Sequence, residues 1–110
     1  MNFNENFYIE NIKIGENCPT YFIADIAANH DGDLNRAIDL IYKAKEAGAN
    51  AAKFQHFSAK TIVSDKGFRK LDSSLLSHQA SWSKSVFDTY DSASINLQWT
   101  EKLVESCKKS

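Results

Sequence analysis

This chain has little of what marks the specialised protein classes: 110 residues contain one proline, four glycines and two cysteines. No run of proline or glycine marks a domain linker, and no internal repeat or low-complexity segment is visible. Two cysteines are too few for a disulfide framework. Cys18, in a turn beside Pro19, and Cys107, on the apolar side of a predicted helix, read as unrelated free thiols. No apolar stretch approaches the roughly 20 residues that a bilayer span needs. The N-terminus, Met1 to Glu10, is polar and acidic rather than basic then apolar, so no membrane partner is expected and the chain reads as cytoplasmic. Thirteen basic against 14 acidic side chains leave a formal net charge of -1, with no long run of either sign. That balance argues against a nucleic-acid partner. Glycine-rich phosphate loops, a nucleophile elbow and paired-cysteine motifs are likewise missing.

What is present is an ordinary packed composition, 43% hydrophobic and 12% aromatic, in a length that holds at most one modest domain. Phe7, Ile9, Ile12 and Ile14 are spaced as two short strands around Glu10-Asn11, predicting a hairpin before the turn from Gly15 to Pro19. Tyr21 to Ala27 is a nearly continuous apolar run broken only by Asp25, the pattern of a strand buried on both faces of a parallel sheet. Leu34, Ala37, Ile38, Ile41 and Ala44 recur at helical spacing, with Asp31 or Asp33 available as N-cap and Gly48 as the stop. Asn50 to Phe54 then resumes a short buried strand, completing a strand, helix and strand of the length expected for a right-handed crossover. From His56 to Trp82 no period is sustained, which predicts a long loop over a site. Ser83 to Tyr90 reads as a short helix. Asn96 can cap a last helix through Trp99, Leu103, Val104 and Cys107, with Lys108 and Lys109 at its C-terminal end.

Three residues stand out chemically, because strand C-termini are where parallel α/β folds carry their sites. Asp25 places a carboxylate inside an apolar strand, where burial incurs several kcal/mol unless the charge is paired or lies at the strand mouth. It is either functional or a strand-end cap paired with a lysine. Lys53, between Ala52 and Phe54, needs an anionic partner, and a phosphate or carboxylate satisfies it; otherwise its amine snorkels to solvent. Gln55, two residues on, can donate and accept at a ligand hydroxyl, position Lys53, or simply fix a loop. Asn29-His30-Asp31-Gly32 looks at first like a metal or acid/base cluster, but adjacent residues at a strand-to-helix turn seldom aim at one ion, so it reads as a turn, with His30 bordering the site. His56 and His78 lack any spacing that relates them to His30, so no metal site is read among them. Ser58, Ser73, Ser74 and Ser77 read as solvated loop serines.

Ala24-Asp25-Ile26-Ala27-Ala28-Asn29-His30-Asp31-Gly32, followed by Ala52-Lys53-Phe54-Gln55, resembles the N-terminal part of the sialic acid synthase family, which reads approximately Ala-Glu-Ile-Gly-x-Asn-His-Asn-Gly and then Val-Lys-Phe-Gln. The resemblance implies the opening quarter of an eight-stranded (β/α) TIM barrel preceded by a short β-hairpin, with residues 1–110 an N-terminal fragment of the synthase domain. It further implies condensation of phosphoenolpyruvate with N-acetylmannosamine or a related acylamino sugar, giving a nonulosonic acid and phosphate. Lys53 then contacts phosphoenolpyruvate, Gln55 is substrate-binding, and Asp25 is the catalytic carboxylate near the sugar, one methylene shorter than the family's usual Glu. A divalent metal, Mn2+ or Mg2+, is implied with ligands outside this chain, as is a homodimer of the full-length protein. Two other readings stay open: a non-catalytic remnant or small phosphate- or sugar-binding module, and an aldolase-like barrel in which Lys53 forms a Schiff base.

Overall fold

The structure, a computed structural model, describes residues 3–71 and 81–110. It is an α/β arrangement with two separate two-stranded sheets. Strands β1 (Asn6–Ile9) and β2 (Ile12–Gly15) pair antiparallel with Ile9 opposite Ile12. The chain reverses at Glu10-Asn11 as expected, and Glu10 takes a φ of 54° to do so. Strands β3 (Ile23–Ala27) and β4 (Ala51–Phe54) pair in parallel through helix α1 (Leu34–Glu46), which is the predicted strand, helix and strand.

Of the two candidate caps for α1 it is Asp33 that serves: its Oδ1 accepts the Asn35 and Arg36 amides at 2.8 and 3.2 Å. Two otherwise unpaired first-turn donors are thereby satisfied. The helix stops where Gly48 adopts a φ of 90°, a left-handed conformation that glycine enters without a Cβ penalty. Periodicity places Ala37 and Ile41 inward, and both are buried in a core completed by Ile26 from β3 and by Ile95 and Leu103. The core therefore lies between the parallel sheet and two helices, α1 and the C-terminal helix.

The segment after β4 differs from the expected long loop. It contains two short helices, α2 (Ala59–Ile62) and α3 (Asp65–Lys70), and Ser64 caps the second by accepting the Gly67 amide at 3.1 Å. Helical period is illegible there because the pieces are only one to two turns long. Ser73, Ser74, Ser77 and His78 lie outside the described residues. Helix α4 (Val86–Ala93) starts three residues later than Ser83, at a Ser85 cap. Asn96 caps a 3₁₀ turn, Leu97–Trp99, and α5 (Thr100–Lys109) follows directly. Leu103 is buried as predicted, whereas Val104 is 47% exposed and Cys107 is exposed on the flank of the helix.

Strand β3 is also less enclosed than its apolar run predicts. Ile26 is buried, but Ile23 is 56% exposed. The physical reason is that, among the described residues, β4 is its one strand neighbour and α1 packs against one of its faces. Among the described residues no helix is long and apolar enough to cross a membrane.

Candidate functional site at the ends of β3 and β4

Parallel register sets the site. Asp25 lies opposite Lys53 across the β3–β4 ladder. Their side chains meet in an ion pair, Lys53 Nζ to Asp25 Oδ2, at 3.2 Å. Two residues that lie 28 positions apart in sequence are thus brought into direct contact by one strand pairing. The expected burial is corrected here: the side chains are 57% and 62% exposed, so the carboxylate and ammonium face solvent at the strand mouth instead of the core. An exposed pair of this kind contributes on the order of 0–1 kcal/mol, weak enough for an incoming anion to exchange with the carboxylate at the ammonium.

Immediately beyond the pair the ladder breaks. Ala27, not Ile26, lies opposite Phe54, so Ile26 is an extra residue that makes a β-bulge. Ala27 itself takes a φ of 50°, the left-handed region that disfavours any residue with a Cβ. The sequence did carry a signal for this, because the motif that Ala24 to Gly32 resembles has Gly where this chain has Ala27. Gln55 follows β4; its amide donates to the Ala27 carbonyl at 3.3 Å, and its exposed side chain bonds neither Asp25 nor Lys53.

The loop between β3 and α1 is closely hydrogen-bonded. The displaced Ile26 carbonyl accepts both the Asn29 amide, at 3.0 Å, and Asn29 Nδ2, at 2.8 Å. Arg36 Nε donates to the Asn29 carbonyl at 2.7 Å, and its other end approaches Asp31 at 3.5 Å. The turn expected at Asn29-His30-Asp31-Gly32 is present, with Asp31 at a φ of 51° and Gly32 at 74°. His30 does not border the open mouth. It is fully buried beneath the turn, at 0% exposure, with Trp99 edge to face against it at 5.5 Å between ring centroids. Burial pushes its pKa below the ordinary value, against a smaller upward pull from Asp31. Sequence spacing gave no sign that Trp99, on another element, would meet it.

His56 is elsewhere engaged, with Nε2 3.3 Å from Thr100 Oγ1. A groove of about 470 Å³ runs between β4 and α5, lined by Ala52, Phe54, His56, Leu103, Val104 and Cys107 among others, and excludes Asp25, Lys53 and Gln55. Partial burial raises the Cys107 thiol pKa, the opposite of what activates a thiolate nucleophile. Among the described residues no group of three or more His, Cys, Asp or Glu is placed to hold a metal ion. The described residues therefore do not by themselves build a metal site, and no chemical step among them runs through one.

Several known proteins are similar to this chain. The spore coat polysaccharide biosynthesis protein SpsE of Bacillus subtilis is 36% identical over 103 residues, covering 94% of this chain and 26% of that protein. N,N'-diacetyllegionaminic acid synthase of Legionella pneumophila is 49% identical over 49 residues, 44% of this chain and 14% of the synthase. Among solved structures, the N-acetylneuraminic acid (sialic acid) synthetase of Leptospira borgpetersenii, in complex with citrate, superposes with a TM-score of 0.70 at 30% identity, covering 94% of this chain and 30% of that one. The chain thus spans about a quarter of SpsE's length. The NeuB family profile matches residues 40–110, from within α1 through Lys53 and Gln55 to α5, and with well over half of its length so matched the chain belongs to the NeuB family.

Proposed function

We propose that this chain supplies the anion-holding end of a nonulosonic acid synthase, as the opening quarter of an eight-stranded (β/α) barrel, condensing phosphoenolpyruvate with N-acetylmannosamine or a related acylamino sugar and releasing phosphate. The observation that carries the proposal is the Asp25–Lys53 pair at 3.2 Å, solvent-facing at adjoining parallel strand ends in a chain of this family. The Lys53 ammonium is the group that holds the phosphate or carboxylate of phosphoenolpyruvate, since a charge-assisted contact of about 1.5–3 kcal/mol exceeds the weak pair it replaces. Displaced from Lys53, Asp25 keeps its carboxylate at the same mouth, where it orients the sugar or moves a proton from the water that adds to C2. Gln55, exposed beyond β4, is the amide available to a sugar hydroxyl.

A divalent metal, Mn2+ or Mg2+, with ligands outside this chain, would polarise the sugar aldehyde when bound. The full-length protein is proposed to be a cytoplasmic homodimer, as the family resemblance implies.

The test is a chimera in which this chain replaces the matching N-terminal 30% of the Leptospira synthetase, the region with which it superposes. Given phosphoenolpyruvate, N-acetylmannosamine and manganese, the chimera is expected to form sugar acid and inorganic phosphate in equal amounts. A chimera folded by circular dichroism that forms neither, beside an active parent, would sink the proposal. Borohydride trapping of Lys53 with a carbonyl substrate would instead reassign it to Schiff-base chemistry.

A further inference from the structure

Among the described residues His30 is the largest side chain with no solvent exposure, and its Nε2 is the one buried side-chain polar atom without a hydrogen-bond partner. The other ring nitrogen is committed: the Gly32 amide donates to Nδ1 at 3.0 Å. That bond requires a bare lone pair on Nδ1, so the neutral ring carries its proton on Nε2. A buried unpaired N–H is costly, and an apolar side chain would avoid it. Something other than space filling therefore calls for an imidazole here, and the Nδ1 bond is what the imidazole provides.

The consequences run back to the strand mouth. His30 also gives its carbonyl to the Asp33 amide at 3.0 Å, and Asp33 caps α1. The preceding residue, Asn29, holds the Ile26 carbonyl with both its amide and its side chain. Ile26 is the bulged residue lying between the Asp25–Lys53 and Ala27–Phe54 pairs. Releasing the loop frees the bulge, and a one-residue slip would turn Asp25 to the opposite face.

We propose that His30 is a positioning residue for the Asp25–Lys53 site: as a neutral, Nε2-protonated ring it accepts the Gly32 amide, bears on Trp99, and holds the loop that keeps Asp25 in register with Lys53. Its kinetic test rests on the proposed synthase reading, but its spectroscopic test does not.

In the chimera, His30→Asn retains an acceptor near the Nδ1 position, whereas His30→Leu fills the space without one. His30→Leu is expected to lower kcat about 10²-fold, the scale of a small misplacement at a reacting centre, with both KM values within about threefold. His30→Asn is expected to recover most of that loss. Equal kcat for the two folded variants would show that His30 only occupies volume, and overturn the proposal. Should either variant fail to fold, ring-15N NMR of the unmutated 110-residue chain decides: a single tautomer with bare Nδ1, and a Gly32 amide protected from exchange, supports the proposal. A proton on Nδ1, or a freely exchanging Gly32 amide, overturns it. An unmutated chimera that is folded but inactive would defeat the synthase reading and leave the NMR result to judge His30.

Discussion

Asp25 and Lys53 are solvent-facing, and that separates their contribution to stability from any contribution to chemistry. Removing one partner of an exposed ion pair costs under about 1 kcal/mol, so neither substitution should unfold the protein. In the chimera, Lys53→Ala is expected to raise the KM for phosphoenolpyruvate about 10- to 150-fold, the equivalent of 1.5–3 kcal/mol, and to leave the KM for the sugar nearly unchanged. Equal effects on both substrates would remove Lys53 from the phosphate. Asp25→Asn keeps the shape but loses charge and proton acceptance, so kcat should fall about 10² to 10⁴ with the unfolding midpoint nearly unchanged. A destabilised enzyme with intact turnover would make Asp25 a structural partner instead. Both residues were legible in the sequence because a charge inside an apolar run is conspicuous in one dimension. Their exposure was not legible, since it depends on which neighbours cover the strand.

Within single elements, β3 and the loop behind it hold two measurable features. Ala27 sits at a φ of 50° directly after the bulge. A left-handed residue with a Cβ incurs roughly 1–2 kcal/mol, partly offset by the greater unfolded-state freedom of glycine. Ala27→Gly is accordingly expected to stabilise the chain by about 0.5–1 kcal/mol, read from denaturant midpoints; a loss of stability would mean that the alanine methyl packs favourably. His30 supplies the other feature. Burial lowers its folded pKa beneath the ordinary 6.5, so between those two values the unfolded chain binds more protons than the folded one. Stability then rises with pH: the His30 contribution is fully present above about pH 6.5 and is lost as pH falls toward the folded value. Denaturant midpoints for the unmutated chain should drop between about pH 7 and pH 5 more steeply than for His30→Asn, and parallel curves would contradict this. The turn at Asn29 to Gly32 was readable from residue preferences, while the burial of the histidine inside it was not, because the ring that packs edge to face against it, Trp99, comes from another element.

At the scale of the molecule, the two-stranded parallel sheet carries two strand mouths, whereas barrel enzymes draw catalytic groups from the ends of several strands. The 110-residue chain alone is therefore expected to release no phosphate from phosphoenolpyruvate in the presence of N-acetylmannosamine and manganese. Stoichiometric sugar-acid formation by it would contradict the division of labour proposed here. A radius of gyration of 18.0 Å, against about 13 Å for a compact domain of about 100 residues, fits a chain whose elements are incompletely covered. Phe22 and Ile23, 61% and 56% exposed at the start of β3, belong to the same incomplete cover.

The sequence by itself determined the elements whose information is local and periodic: the hairpin about Glu10-Asn11, α1 between Asp33 and Gly48, and the two strands that α1 joins. It also singled out Asp25 and Lys53, because an ion in an apolar run conflicts with its immediate neighbours. Tertiary structure alone decided that these two charges meet, since a register across 28 residues is a property of pairing and not of either strand. It decided too that they face solvent, that a bulge and a left-handed Ala27 follow them, and that Trp99 seals His30 beneath the loop. Each of these depends on contacts between segments remote in sequence, where hydrophobic periodicity says which face is apolar but not what lies against it.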